Sequence, residues 1–202
     1  MKRTLILALC ALLLSCCTKT PQQKAEALVK DAMLKSLILP DTYQPVETKL
    51  DSAFSPYHSP EYIQAVLDLC QLGMEIDKQN SIIKRKKSSM SIWSGSYVSA
   101  FGNEQYRQAK EECEAAENTL KELTSQVQKR VDLMRMKVDE VPKFIGYMVH
   151  HRYRAQNNAG NTLLEGQYFL LDKDVSAIVC QLSEEDIELY NTFLQQMSQR
   201  AW

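Results

Sequence analysis

The sequence predicts an α+β fold: an antiparallel sheet of one early strand plus a three-stranded meander, flanked by terminal helices, with a long antiparallel helical hairpin inserted between the first and second strands. Three observations predict it. Apolar residues recur at positions 106, 113, 120, 127, 134 and 141 without a break. Period-two alternation occurs on both sides of that heptad, at 43–54 and from Ile145 onward. Two short turn-forming stretches, 156–161 and 172–174, join the later strands, which makes them antiparallel neighbours. The chain has 202 residues, 45% apolar and 24% charged, with only 6 Gly and 6 Pro. That composition excludes a disordered, collagen-like or disulfide-dense chain and leaves room for a core. With 24 basic and 25 acidic residues the formal charge is -1, so no net field holds nucleic acid on the protein.

The elements follow in chain order. Lys2 and Arg3 precede an uncharged apolar run of 11 residues, 4–14, too short for a bilayer span, which needs about 20 residues. The run ends in Leu13-Leu14-Ser15-Cys16. This segment resembles the lipobox of bacterial lipoprotein precursors, which are cut just before a Cys that has received a diacylglyceryl group. The resemblance implies a signal peptide at 1–15, a lipidated Cys16, a tether at 16–20 and a mature α+β domain at 16–202. Cys17 is the poorer candidate for lipidation, because it would put Cys16 in the small-residue slot that suits Ser15. Two or three acyl chains, at about 0.8 kcal/mol per buried CH₂, anchor stably where one does not. Removal of Lys2 and Arg3 leaves 22 basic against 25 acidic residues, or -3. The residues after Cys16 include no acidic cluster, which in lipoproteins of this kind points to a periplasm-facing location without selecting the membrane; the expected one is the outer membrane.

Thr20-Pro21 begins a helix, the hydroxyl serving as cap and proline fitting the first helical position. Ala25, Leu28, Val29, Ala32, Met33 and Leu37 then give it one apolar face, and Pro40 stops it near Leu39. In the strand at 43–54, Val46, Thr48, Leu50, Ser52 and Phe54 alternate with Glu47, Lys49, Asp51 and Ala53. The inserted hairpin spans 60–141. Ser59-Pro60 repeats the cap-then-proline start, and Ile63, Val66, Leu67, Cys70, Met74 and Ile82 predict a helix to about Lys87. A non-helical stretch is expected at 88–102, with Asn103 capping a second arm to Glu140. Ala109, Ala116, Leu123, Val131 and Val138 give that arm a second apolar track beside the heptad. At about 55 Å it is longer than a body of this size can cover, so it needs a helical mate: the preceding arm, or a second copy of the chain.

After Pro142 the period becomes two, and Ile145, Tyr147, Val149, His151 and Tyr153 share one face. Strands at 163–171 and 175–182 complete the meander. Ser183, followed by Glu184, Glu185 and Asp186, opens a last helix.

Few residues point to chemistry. Adjacent His150 and His151 face opposite sides of a strand and are poorly placed to chelate one metal. A hydrolase would need Cys180 to reach a His through favourable register. A Cys70–Cys113 bridge across the hairpin is disfavoured by an axial offset of about 7 residues, or about 10 Å. The basic run 84–87 is expected to complement a helix C-terminus, with anionic lipid or polymer as its functional alternative. No catalytic residue, metal ligand or cofactor is assigned.

The stretch 88–102 carries the strongest functional expectation: Ile92, Trp93, Tyr97 and Phe101 at a hairpin tip form a surface for a protein partner. Tyr147, His151 and Tyr153 form the alternative, a small-molecule or peptide site on the sheet face. The wording 89–95, 101–104, Glu111-Glu112, 43–47 and 152–155 is also similar to a group of bacterial envelope lipoproteins without assigned activity. That similarity implies a location and a shared fold, and assigns no catalytic residue. The sequence-level expectation is therefore a lipid-anchored, non-enzymatic binding or assembly protein.

Overall fold

The structure is a computed structural model that describes residues 19–95, 99–138 and 140–200. Its elements are α1 (Pro21–Ser36), a 3-10 turn (Pro40–Thr42), β1 (Gln44–Phe54), α2 (Pro60–Trp93), α3 (Ala100–Val138), β2 (Phe144–Gln156), β3 (Thr162–Leu171), β4 (Ile178–Ser183) and α4 (Glu184–Arg200). The fold class is the expected one: a four-stranded antiparallel sheet in the order β1-β2-β3-β4, with two long helices between β1 and β2. The chain forms two compact units, one of 142–187 with the described residues up to 58, the other of 59–141 with the described residues from 188.

In the first unit, α1 starts as its sequence requires. The Thr20 hydroxyl accepts from the Gln23 amide while the Gln23 side chain accepts from the Thr20 amide, a capping box that satisfies two otherwise orphaned donors. The helix ends at Ser36, three residues before the expected stop at Leu39. The Ser36 hydroxyl and the Leu37 amide both bond the Met33 carbonyl, which closes the last turn there.

The apolar face of α1 covers one face of the sheet. Ala25, Val29 and Met33 pack with Val149, Tyr153, Phe169, Leu171 and Val175 in one core. Burial of each large apolar side chain contributes about 1.5–3 kcal/mol. Register explains the membership: Leu50, Val149 and Phe169 are successive partners across β1, β2 and β3. Two bulges alter the expected pattern. Val46 has no partner between the pairs Pro45–Tyr153 and Glu47–Arg152, so it is exposed rather than inward. A second irregularity at Ala53/Phe54 leaves Ala53 buried and Phe54 exposed, the reverse of the alternation. Opposite it, Gly146 has φ +148°, and a Cβ there would overlap the Leu171 carbonyl oxygen.

The last strand begins at Ile178, not Val175. Asp172 accepts from both the amide and the hydroxyl of Ser176, which extends the turn and holds Val175 at φ 54° with its side chain in the core. Ser183 and Asp186 then cap α4 reciprocally, as the Ser-Glu-Glu-Asp sequence requires.

The second unit contains the hairpin, and its mate lies within the chain. Ile83, Cys113 and Ala116 form a core joined by Ile82, Met90 and Leu120. Asp68 bonds Arg130 at 2.8 Å and Lys86 bonds Glu112 at 2.6 Å. Each pair is symmetric about residue 99, 31 residues either side in the first and 13 in the second, so the arms run antiparallel around that point.

The expected non-helical stretch 88–102 is therefore too long. Met90 follows Ile83 by seven residues and continues the apolar stripe, carrying α2 to Trp93, while the Ser99 hydroxyl, not Asn103, accepts the Gly102 amide at the start of α3. The register also enlarges the cysteine offset: Cys70 lies opposite residue 128, 15 residues or about 22 Å from Cys113. Among the described residues, Cys70 and Cys113 are not joined in a disulfide. The α3 stripe is buried at Ala109, Cys113, Ala116 and Met134 but lapses at its ends, where Tyr106, Val138 and Val141 are exposed.

Candidate functional site

Each unit presents one place where side chains face solvent in a way that packing does not require. In the first, α1 and β1 enclose an open cleft of about 470 Å³ lined by Gln23, Glu26, Lys30, Tyr43, Glu47 and Thr48, with His151 at its floor. β2 places His151 on the α1 face directly opposite Thr48 of β1. Its Nδ1 lies 2.9 Å from the Thr48 hydroxyl and its Nε2 lies 2.9 Å from the Tyr43 hydroxyl. The ring stacks on Tyr153 with centroids 5.8 Å apart. In the neutral imidazole one nitrogen donates and the other accepts, and a hydroxyl answers either role, so the network is complete in the uncharged state.

Burial pushes the His151 imidazole below its ordinary range, outweighing the opposing hydrogen bond to the Glu47 backbone. Burial likewise pushes the Tyr43 hydroxyl up. Tyr153 is raised further, by burial first and then by its 2.8 Å hydrogen bond to Glu165. Both partners of the imidazole are hydroxyls rather than a carboxylate that would orient and charge it, so the arrangement suits polar recognition more than proton transfer.

Of the three sheet-face residues expected to form a binding site, only His151 lines this cleft. Tyr153 is 1% exposed and belongs to the core. Tyr147 packs edge-on against Phe144 with centroids 5.2 Å apart and borders the core beneath α1. The cleft residues Tyr43, Glu26, Lys30 and Thr48 were not singled out by sequence reasoning. Only the register of β1 on β2 and the placement of α1 bring them together. Tyr43 just ahead of the alternating strand was the one readable sign.

The opposite sheet face carries His150. It stacks on Tyr168 at 4.4 Å and lies 3.0 Å from Glu184. Glu184 sits over Gly166, where a Cβ would overlap its carboxylate. The two histidines therefore serve different faces, as their adjacency requires. Cys180 pairs with Leu170 in the row of Met148, two rows from His150 and Tyr168, so Cys180 and His150 are not register partners. Among the described residues no group of three His, Cys, Asp or Glu side chains is placed to hold a metal, and no helix is long and apolar enough to cross a membrane.

In the second unit exposed apolar side chains occur at the closed end of the hairpin, Ile92 and Phe101, and also away from it, at Met74, Leu133, Val138 and Val141. Ile92 is 71% exposed and Phe101 64%. Trp93 is half-buried and meets Phe101 edge-on, centroids 5.9 Å apart. Tyr97 and Cys16 lie outside the described residues. The basic run behind this end is not at a helix C-terminus, since α2 continues six residues past Lys87. Lys86 and Lys87 instead reach across to Glu112 and Glu117, at 2.6 and 2.8 Å. Lys84 and Arg85 are exposed and make no ion pair among the described residues.

Comparison with known proteins adds little to this geometry. No protein family matches the chain, and no solved structure matches it. One curated protein shows a partial similarity: the cytokine receptor common subunit gamma of Mus musculus, 36% identical over 56 residues, which is 28% of this chain and 14% of the receptor. The chain thus matches only a small part of that receptor's length, and the likeness carries no argument about fold or activity.

Proposed function

We propose that the protein is a lipid-anchored, non-enzymatic binding or assembly module of a bacterial cell envelope, tethered through Cys16 and engaging a partner with the end of its hairpin. The supporting observation is that Ile92 and Phe101, near the closed end of the hairpin, are both mostly in water, with Trp93 edge-on against Phe101. Large apolar groups gathered at one exposed point cost solubility and are kept where they meet something. The anchor rests on Lys2, Arg3, the apolar run and Leu13-Leu14-Ser15-Cys16.

Two measurements test this reading. Mass spectrometry of the native protein should find its amino terminus at a diacylglyceryl-modified Cys16; an unmodified or different start overturns the anchor. A photo-crosslinking residue at position 101, introduced in the cell, should give one discrete adduct with an envelope component that Ile92→Ser abolishes. Absence of any adduct overturns the contact surface. The second reading, a small-molecule or peptide site, is favoured by the cleft above His151, whose lining brings Glu26 and Glu47 together with Lys30. A peptide or metabolite that binds and is displaced by Lys30→Glu would favour it instead.

A further inference from the structure

Resting on the reading of the hairpin end as a contact surface, we propose that its partner is an anionic lipid bilayer: Ile92, Trp93 and Phe101 enter the interface while Lys84 and Arg85 meet the headgroups. The spacing fits that role. Arg85 precedes Ile92 by seven residues, which is two helical turns, so both lie on one face about 10 Å apart along the axis. An apolar wedge inserted about 5–10 Å into the boundary between headgroups and acyl chains would bring that guanidinium to the level of the phosphates.

Charge points the same way. Residues 84–114 carry six basic side chains, Lys84, Arg85, Lys86, Lys87, Arg107 and Lys110, and four acidic ones, Glu104, Glu111, Glu112 and Glu114. This end is therefore +2 in a chain whose total is -1. The acids are engaged: Glu104 and Glu111 by Arg107, Glu112 by Lys86, Glu114 by Lys110. Lys87 is engaged by Glu117 just beyond this span, which leaves Lys84 and Arg85 as the two cations of this end that make no ion pair among the described residues. Trp93 suits the boundary, with an apolar ring and one polar N–H.

The test uses the mature chain 16–202 with Cys16→Ser, so that no acyl group contributes. Trp202→Phe leaves Trp93 as the single indole, since the chain has two Trp. Co-sedimentation with phosphatidylglycerol–phosphatidylethanolamine vesicles should exceed that with phosphatidylcholine vesicles and fall as salt rises. Lys84→Gln with Arg85→Gln should weaken binding about 30-fold, at about fivefold per cation near an anionic surface. Ile92→Ser with Phe101→Ser should weaken it about a hundredfold. Brominated acyl chains should quench Trp93 in the unsubstituted hairpin, a readout that does not depend on how the variants fold. No vesicle binding, or binding that ignores these substitutions and leaves Trp93 unquenched, overturns the inference. If a discrete protein adduct at position 101 persists in that case, the contact surface stands and its partner is a protein; if it too is missing, both readings fall.

Discussion

The two units bury side chains by different means. The sheet unit closes on large residues, with Tyr153, Phe169, Met33 and Leu171 all under 2% exposed. Around Ile83 the hairpin is built on small ones, Ala109, Cys113 and Ala116, while the start of α2 buries Tyr62, Ile63, Val66, Leu67 and Leu69, and ion pairs join its arms at Asp68–Arg130, Lys86–Glu112 and Lys87–Glu117. Small residues let two helices approach closely but remove little apolar area from water, and exposed ion pairs contribute only about 0–1 kcal/mol each. Several large apolar groups of the hairpin sit in solvent, at Met74, Ile92, Phe101 and Leu133, although Tyr62, Ile63, Val66, Leu67 and Met134 are buried. The sheet unit thus closes on large buried groups, while the hairpin leaves several of its own in water.

Core truncation should break that contrast most forcibly. Phe169 is fully buried at the centre of β3, opposite Val149 and under α1. Phe169→Ala should cost about 3–5 kcal/mol, read from the shift in urea midpoint at unchanged slope. A cost below about 1 kcal/mol would mean that the sheet core is not packed as described.

A smaller effect should come from the one buried histidine. Burial depresses the folded-state pKa of His151, whereas the unfolded imidazole titrates near about 6.5. The unfolded chain therefore binds the extra proton first. Stability contributed by keeping His151 neutral is complete above that pH and is lost progressively as pH falls through it. His151→Gln retains polar atoms for Tyr43 and Thr48 without the titration, so the drop in Tm between pH 7.5 and pH 5.5 should be smaller in the variant. Equal drops in the two proteins would show that His151 is not held neutral.

These sites also show what could be read in advance. Period and capping chemistry were local, so the heptad, the Thr20 cap, the Ser183 start and the antiparallel meander followed from residues near one another in the chain. Register was not local. Nothing in 43–54 reveals that Val46 is skipped against β2, or that a second irregularity at Ala53/Phe54 leaves Ala53 buried and Phe54 exposed. The cleft above His151 escaped for the same reason, since Tyr43, Thr48 and Lys30 meet only through pairing and helix placement. At the hairpin, Ser-rich 88–91 read as a loop because Ser disfavours helix interiors by itself. Met90 packing against the Ile83–Cys113–Ala116 core overrides that propensity and moves the end of α2 to Trp93.

The smallest expected effect is the sharpest test of the contrast between the units. Ile92 is 71% exposed and lies one residue from the end of α2, so Ile92→Ser removes almost no buried area and leaves no cavity. Ser lowers helix propensity slightly, by less than about 0.7 kcal/mol even in a helix interior and less at a fraying last turn. Thermal and urea unfolding of the variant should therefore match the parent within about 0.5 kcal/mol. That result would leave Ile92 free of any folding role and available to the contact surface proposed above. A measured loss of 2 kcal/mol or more would instead place Ile92 among the packed residues and remove the ground for a contact surface at the hairpin end.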